Sequence, residues 1–211
     1  MIEFNLSVSL IKAYNDYLYK GYCGKRFLEV NLKKKHKFTM GEPALLGQYF
    51  EFLATGCTPR YGGIPEPIMT KSGSLTSASK RCVDQANQFK QLIPKMGIDI
   101  EETSVYYKNS LGWSGEFDIV ANPVGENSLL TRKTVIDTKY TGIIDNKWEG
   151  WDIENLADKD DKIIQADHYK VLAMEKYDEP VDFAFFLFSS GADAKIKFIM
   201  LEYDEGRIQR H

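Results

Sequence analysis

A chain of 211 residues with 43% hydrophobic and 27% charged side chains can bury a sizeable core and reads as one domain over residues 1–211. Its net charge of −3 argues against coating nucleic acid by charge alone, yet the charge is uneven: residues 1–100 hold 14 Lys and Arg against 8 Asp and Glu, residues 101–211 hold 13 against 22. Three cysteines with no CxxC spacing argue against a disulfide framework or a zinc site and for a reducing, cytoplasmic-type compartment; the start "MIEFNLSVSL" has no leader pattern, and no apolar run approaches the roughly 18 residues of a membrane span.

The first half, about 1–97, reads as helical. "SVSLIKAYNDYLYKGY" (7–22) spaces Leu10, Ile11, Tyr14, Tyr17 and Leu18 at a helical period. A basic run, "KKKHK" (33–37), follows. "GEPALLGQYFEFLATG" (41–56) is a second helix, with Pro43 in its first turn and Gly56 as its stop. The segment 56–75 is too rich in Gly and Pro for regular structure. A third helix is expected over 77–93, closed by Pro94 and Gly97.

From about 98 to 205 the period changes. Strands are expected over 102–108, 113–121 and 132–140, with Asn122-Pro123 and Gly125 marking the turn between the last two. A polar loop carrying Trp148 and Trp151 leads to a helix over 159–176. Two closing strands, 181–189 and 195–203, flank Ser190-Gly191. The fold class is therefore α/β: a mixed central sheet of about five strands flanked by helices.

Asp-x-Lys occurs four times, but only Asp137 and Lys139 lie in a β-branched strand run, "KTVIDTKY", where the period of 2 points both side chains the same way. If 113–121 and 132–140 pair as a hairpin, Asp118 comes near Asp137. Two carboxylates and a backbone carbonyl, such as that of Thr138, make an all-oxygen site suited to Mg²⁺ or Mn²⁺. Such an ion supplies an activated water, and Lys139 would stand beside it. Glu51, among aromatics in "YFEFL", needs a partner; Glu42 competes with it as the acidic residue of that helix. Gln165 and Tyr169 lie at i and i+4, hence on one face, and suit contact with a nucleotide. Lys33, Lys34 and Lys35 are candidates for DNA-backbone contact. Trp148 and Trp151 could stack on bases or anchor their loop. His168 is expected on the surface, off the Gln165–Tyr169 face.

The order Glu51, Gly115-x-x-Asp118, Asp137-x-Lys139, Gln165-x-x-x-Tyr169 resembles the PD-(D/E)xK nuclease superfamily, in the branch with RecB nuclease domains and phage λ-type exonucleases. The resemblance spans about residues 41 to 203, and 7–24 is faintly similar to the opening helix of RecB-like nucleases. It implies a restriction-endonuclease-like core and Mg²⁺-dependent hydrolysis of DNA, most simply from an end. Asp118 and Asp137 would be metal ligands, Lys139 the catalytic lysine, Glu51 an outer or second-metal ligand, and Gln165 and Tyr169 substrate-positioning residues. A structure-specific or restriction-like endonuclease, or a silent nucleic-acid-binding member of the fold, are the alternatives. With no cysteine after Cys82, the iron–sulfur cluster of some relatives is excluded. No phosphate-binding GxxxxGK[ST] is present, so coupling to unwinding needs a helicase or recombination partner. A phage, recombination or repair setting and a homo-oligomer are further expectations.

Overall fold

The computed structural model describes residues 5–33, 40–58, 63–142, 144, 151, 160–204 and 206. In chain order come β1 (Leu6–Ser7), α1 (Val8–Tyr19), α2 (Gly24–Arg26), a π-helical turn (Phe27–Leu32), α3 (Glu42–Thr55), α4 (Ser77–Lys95), β2 (Ile98–Lys108), β3 (Trp113–Pro123), β4 (Thr134–Thr141), α5 (Asp160–Tyr177), β5 (Asp182–Ser189) and β6 (Ile196–Leu201). The strands form one mixed sheet in the order β1-β3-β4-β5-β6, with β2 also on β3. The α/β class expected from the sequence holds, a mixed sheet flanked by helices, with six strands rather than about five. The addition is β1, too short to carry a period.

The helices begin and end where local chemistry dictates. Ser7 caps α1, its Oγ accepting from the Leu10 amide at 3.4 Å, and Thr76 caps α4 through the Ser79 amide at 3.2 Å. Gly56 closes α3 at φ +79°, the left-handed conformation that glycine adopts without steric cost. Helix α4 runs through Pro94 to Lys95 instead of stopping at residue 93, because a proline in the last turn forfeits only one ladder bond. In the described part of 56–75, the pairing is one isolated bridge, Met69 to Leu75.

Two cores sandwich the sheet. One packs α3 and α4 (Phe50, Ala86, Phe89) against Ile136, Ala184, Phe186 and Phe188. The other packs α5 (Ala166, Leu172, Ala173) against Val120, Val135, Phe183, Phe185 and Leu187. Strand β5, buried on both faces, reads as an unbroken apolar run for that reason. Trp151 belongs to the second core: its ring meets Phe185 edge-on at 4.8 Å, and the Lys162 ammonium lies 3.5 Å from its centroid. It anchors its loop and is not free to stack on bases. Trp148, His36, Lys34 and Lys35 lie outside the described residues. No helix among the described residues is long and apolar enough to cross a membrane.

Strand β3 changes partners along one edge. Ser114 pairs with Lys108 of β2 and also with Ser7 of β1, so β1 must lie on the edge away from β2, the edge that β4 uses farther on. There β4 is in register only at Ile119↔Ile136, Val120↔Val135 and Ala121↔Thr134. Residues 115–118 of β3 are left without a ladder on that edge, between β1 and β4.

Candidate active site

The gap in the β3 edge holds the acidic pair. The β3–β4 ladder ends at Ile119↔Ile136. One step further the Thr138 amide donates to Asp118 Oδ2 at 2.8 Å, and the Thr138 hydroxyl lies 3.3 Å from the same oxygen. A carboxylate thus takes the place of a strand carbonyl. Because N–H and C=O of one strand residue point to the same side, the Thr138 carbonyl also faces the gap.

The strands are distorted there. Phe117 packs in the α5 core and Ile119 in the α3–α4 core, although strict alternation would put both on one face. The alternation breaks at Asp118 and at Ser104 of β2, between the pairs Thr103↔Ile119 and Val105↔Phe117. Ser104 sits at φ +49°, a left-handed conformation unusual for a residue with a β-carbon. On its far side Cys57, just past α3, meets the Thr103 hydroxyl at 2.8 Å.

Asp137 and Lys139, two apart on β4, form an ion pair through Asp137 Oδ2. Asp137 is 2% exposed. Its Oδ1 accepts from Gln165 Nε2 at 2.6 Å, reaching across from α5. Its Oδ2 is buried and, beyond the contact with the Lys139 ammonium, has no well-directed hydrogen bond. These groups line a pocket of about 520 Å³ together with Glu51, Glu116, Tyr169 and Lys12.

The pocket holds an excess of negative charge. Burial raises the Asp118 carboxyl well above the usual carboxylate range, and the charges of Asp137 and Glu51 add to it; Lys139 and the Thr138 amide only partly compensate. Burial likewise raises Glu51, opposed by Lys139 and reinforced by Asp137 and Glu116. At Lys139 burial works against the ammonium, but the Asp137 and Asp118 charges outweigh it and the net shift is upward. Lys139 stays protonated.

The sequence candidates divide cleanly. Glu51, Asp118, Asp137, Lys139, Gln165 and Tyr169 all line the one pocket. Glu42, the competitor of Glu51, is exposed at the first position of α3 and does not line it. Tyr169 is largely a packing residue, edge-on to Phe117 at 5.4 Å and against Gly115. Lys33 is exposed at the end of the π-helical turn. His168 is not on the surface: at 4% exposure it stacks on Trp113 with centroids 5.6 Å apart, and one ring nitrogen bonds the Ser114 carbonyl at 3.0 Å. The helix α5 is buried on this face as well as on the Gln165–Tyr169 face. The sequence reading missed Lys12, whose Nζ donates to Gln165 Oε1 at 3.0 Å, and Glu116 and Ser104. A lone lysine on an amphipathic helix carries no signal of a partner 153 residues away.

Among the described residues, no three His, Cys, Asp or Glu side chains gather closely enough to hold a metal ion together. What the pocket offers a cation is the Asp118, Asp137 and Glu51 carboxylates on its wall; strand geometry turns the Thr138 carbonyl toward the same gap. These are hard oxygen donors that leave positions for water, as Mg²⁺ and Mn²⁺ prefer.

No protein-family profile matches the chain, and no curated protein matches it. Among solved structures, the fold is similar to that of a protein from Eubacterium rectale described as a candidate exonuclease. The TM-score is 0.61 at 18% sequence identity, covering 99% of this chain and 75% of that one.

Proposed function

We propose that the chain is a metal-dependent nuclease that hydrolyses phosphodiester bonds in DNA, acting from an end, in the RecB-like and λ-type branch of the PD-(D/E)xK nucleases. The observation that carries the proposal is the convergence of Asp118, Asp137 and Lys139 where the β3–β4 ladder ends, with Gln165 bonded to Asp137. The fold likeness to a candidate exonuclease supports it. Action from an end rests on the QxxxY resemblance, Gln165 to Tyr169. An endonuclease with the same chemistry is the second reading; a silent binding module is disfavoured by the intact Asp118, Asp137 and Lys139.

A bound Mg²⁺ or Mn²⁺ would supply an activated water and charge neutralisation at the phosphate. Asp118 and Asp137 would hold it, with the Thr138 carbonyl as a third oxygen donor and Glu51 as an outer ligand. Asp118 is fixed by the Thr138 amide and hydroxyl, and Asp137 by Gln165, so neither carboxylate has to reorganise. The Lys139 ammonium, held by Asp137, is placed to orient the attacking water and to offset charge as it builds on the phosphate oxygens. Tyr169 closes the pocket wall on the α5 side. Lys33, Lys34 and Lys35 would meet the DNA backbone. A recombination or helicase partner and a homo-oligomer belong to the same proposal.

The test is cleavage of end-labelled linear single strands, linear duplex and covalently closed circles with Mg²⁺ or Mn²⁺, with Lys139→Ala as the control. Digestion of linear DNA that spares circles, absent in the variant, is the expected result. Cut circles would favour the endonuclease reading. Binding of DNA without cleavage by the wild type would favour the silent module.

A further inference from the structure

Lys12 belongs to the helix that follows β1, and β1 pairs in parallel with Trp113 and Ser114 on the edge that β4 leaves. The first turns of α1 therefore enter the gap, and Val8, Ser9 and Lys12 line the pocket. Lys12 Nζ donates to Gln165 Oε1 at 3.0 Å, and Gln165 Nε2 donates to Asp137 Oδ1 at 2.6 Å. An ammonium has only donors, an ionised carboxylate only acceptors, and a primary amide one kind at each end. The three groups therefore fit together in one sense only. A flipped amide would set its NH₂ against the ammonium and its oxygen against the carboxylate.

We propose that Lys12 is a positioning residue for this site: it fixes the Gln165 amide, which occupies Asp137 Oδ1 and so sets the rotation of the carboxylate whose Oδ2 meets Lys139. The inference rests on the nuclease reading above. Gln165 is buried, and both ends of its amide are engaged, so its polar contacts decide its rotamer. Without Lys12 the amide loses the contact that selects its orientation, and Asp137 loses its fixed rotation. Groups that orient a metal ligand in this way typically change metal affinity or activity by about 10- to 100-fold.

The experiment is a double-mutant cycle with Lys12→Met, Gln165→Leu and the double variant, measuring Mn²⁺ affinity by calorimetry and kcat and KM on DNA. A urea midpoint of each metal-free protein checks folding. The expected result is a roughly 10-fold loss of Mn²⁺ affinity and of kcat in Lys12→Met. The double variant should be no worse than Gln165→Leu alone, since both changes break one relay. Lys12→Arg, which keeps a donor, should restore most of both. Additive losses, or a loss confined to KM and steepened by salt, would overturn the inference and make Lys12 a direct substrate contact. Wild type that binds Mn²⁺ and cuts DNA, with Lys12→Met unchanged, would overturn the inference alone. Wild type that does neither would overturn the nuclease reading with it.

Discussion

The ring of Tyr169 fills the space that a β-carbon on Gly115 would take: its Cε1 lies 2.8 Å from where that atom would stand, and Leu172 Cδ1 lies at 3.1 Å. The glycine of the GxxD strand and the tyrosine of the QxxxY helix are thus two sides of one contact. It lets α5 approach β3 closely enough for Gln165 to reach Asp137.

Gly115→Ala should therefore destabilise the fold by about 1–3 kcal/mol, the usual range for overpacking a tight core. A flat ring cannot yield as a flexible chain end can. Because a shifted α5 also carries Gln165 away, nuclease activity should fall by more than the loss of folded protein. Urea unfolding and single-turnover cleavage measure the two effects separately.

Ser104→Gly should stabilise the metal-free protein. The serine pays roughly 1–2 kcal/mol for its left-handed backbone, and glycine avoids this at an entropic cost of about 0.5–1 kcal/mol, so the net gain is up to about 1.5 kcal/mol. A higher urea midpoint with unchanged slope is the expected readout; Ser104→Val should move it the other way.

His168 gives stability a defined pH dependence. Burial lowers its pKa, and the Ser114 carbonyl only partly opposes this, so the folded chain favours neutral imidazole. The unfolded chain then binds more protons from the folded pKa up to the ordinary value near 6.5. The contribution of His168 is complete above that value and is lost as pH falls through it. Relative to His168→Gln, whose amide can still donate to the Ser114 carbonyl, wild type should lose stability between pH 7.5 and 5.5. Urea midpoints at both pH values read this; parallel changes in the two proteins would contradict it.

Asp182 is a structural counterpart to the site. It is 1% exposed and accepts from the Tyr203 amide at 2.6 Å and the Thr131 hydroxyl at 3.2 Å, with the Arg132 guanidinium 3.6 Å away. Asp182→Ala removes a buried acceptor from the Tyr203 amide and the Thr131 hydroxyl and should cost about 1–3 kcal/mol, with cleavage per folded molecule unchanged.

The parts of the site set by local periodicity were legible in the sequence. Asp137 and Lys139 share a face because a strand repeats every two residues, and Gln165 and Tyr169 because a helix repeats every 3.6. Those parts also resemble a known family, which supplied their order. The parts set by distortion or distance were not legible. The break in alternation at Asp118 and Ser104 obeys no period. β1 is two residues long and is defined by its partner Trp113–Ser114 rather than by its own pattern. Lys12 meets Gln165 only because β1 lays α1 across the gap. His168 was misread because the helical wheel identifies one buried face, whereas a second face of α5 packs on the start of β3 through Trp113.

The central claim is that Asp118 and Asp137 form a cation site and Lys139 acts beside it. Calorimetric titration of Mn²⁺ into wild type, Asp118→Ala, Asp137→Ala and Lys139→Ala tests it most directly. The account predicts saturable binding to wild type, its loss in both aspartate variants, and its retention in Lys139→Ala, whose cleavage is nonetheless abolished. Mn²⁺ binding unchanged in both aspartate variants would contradict it.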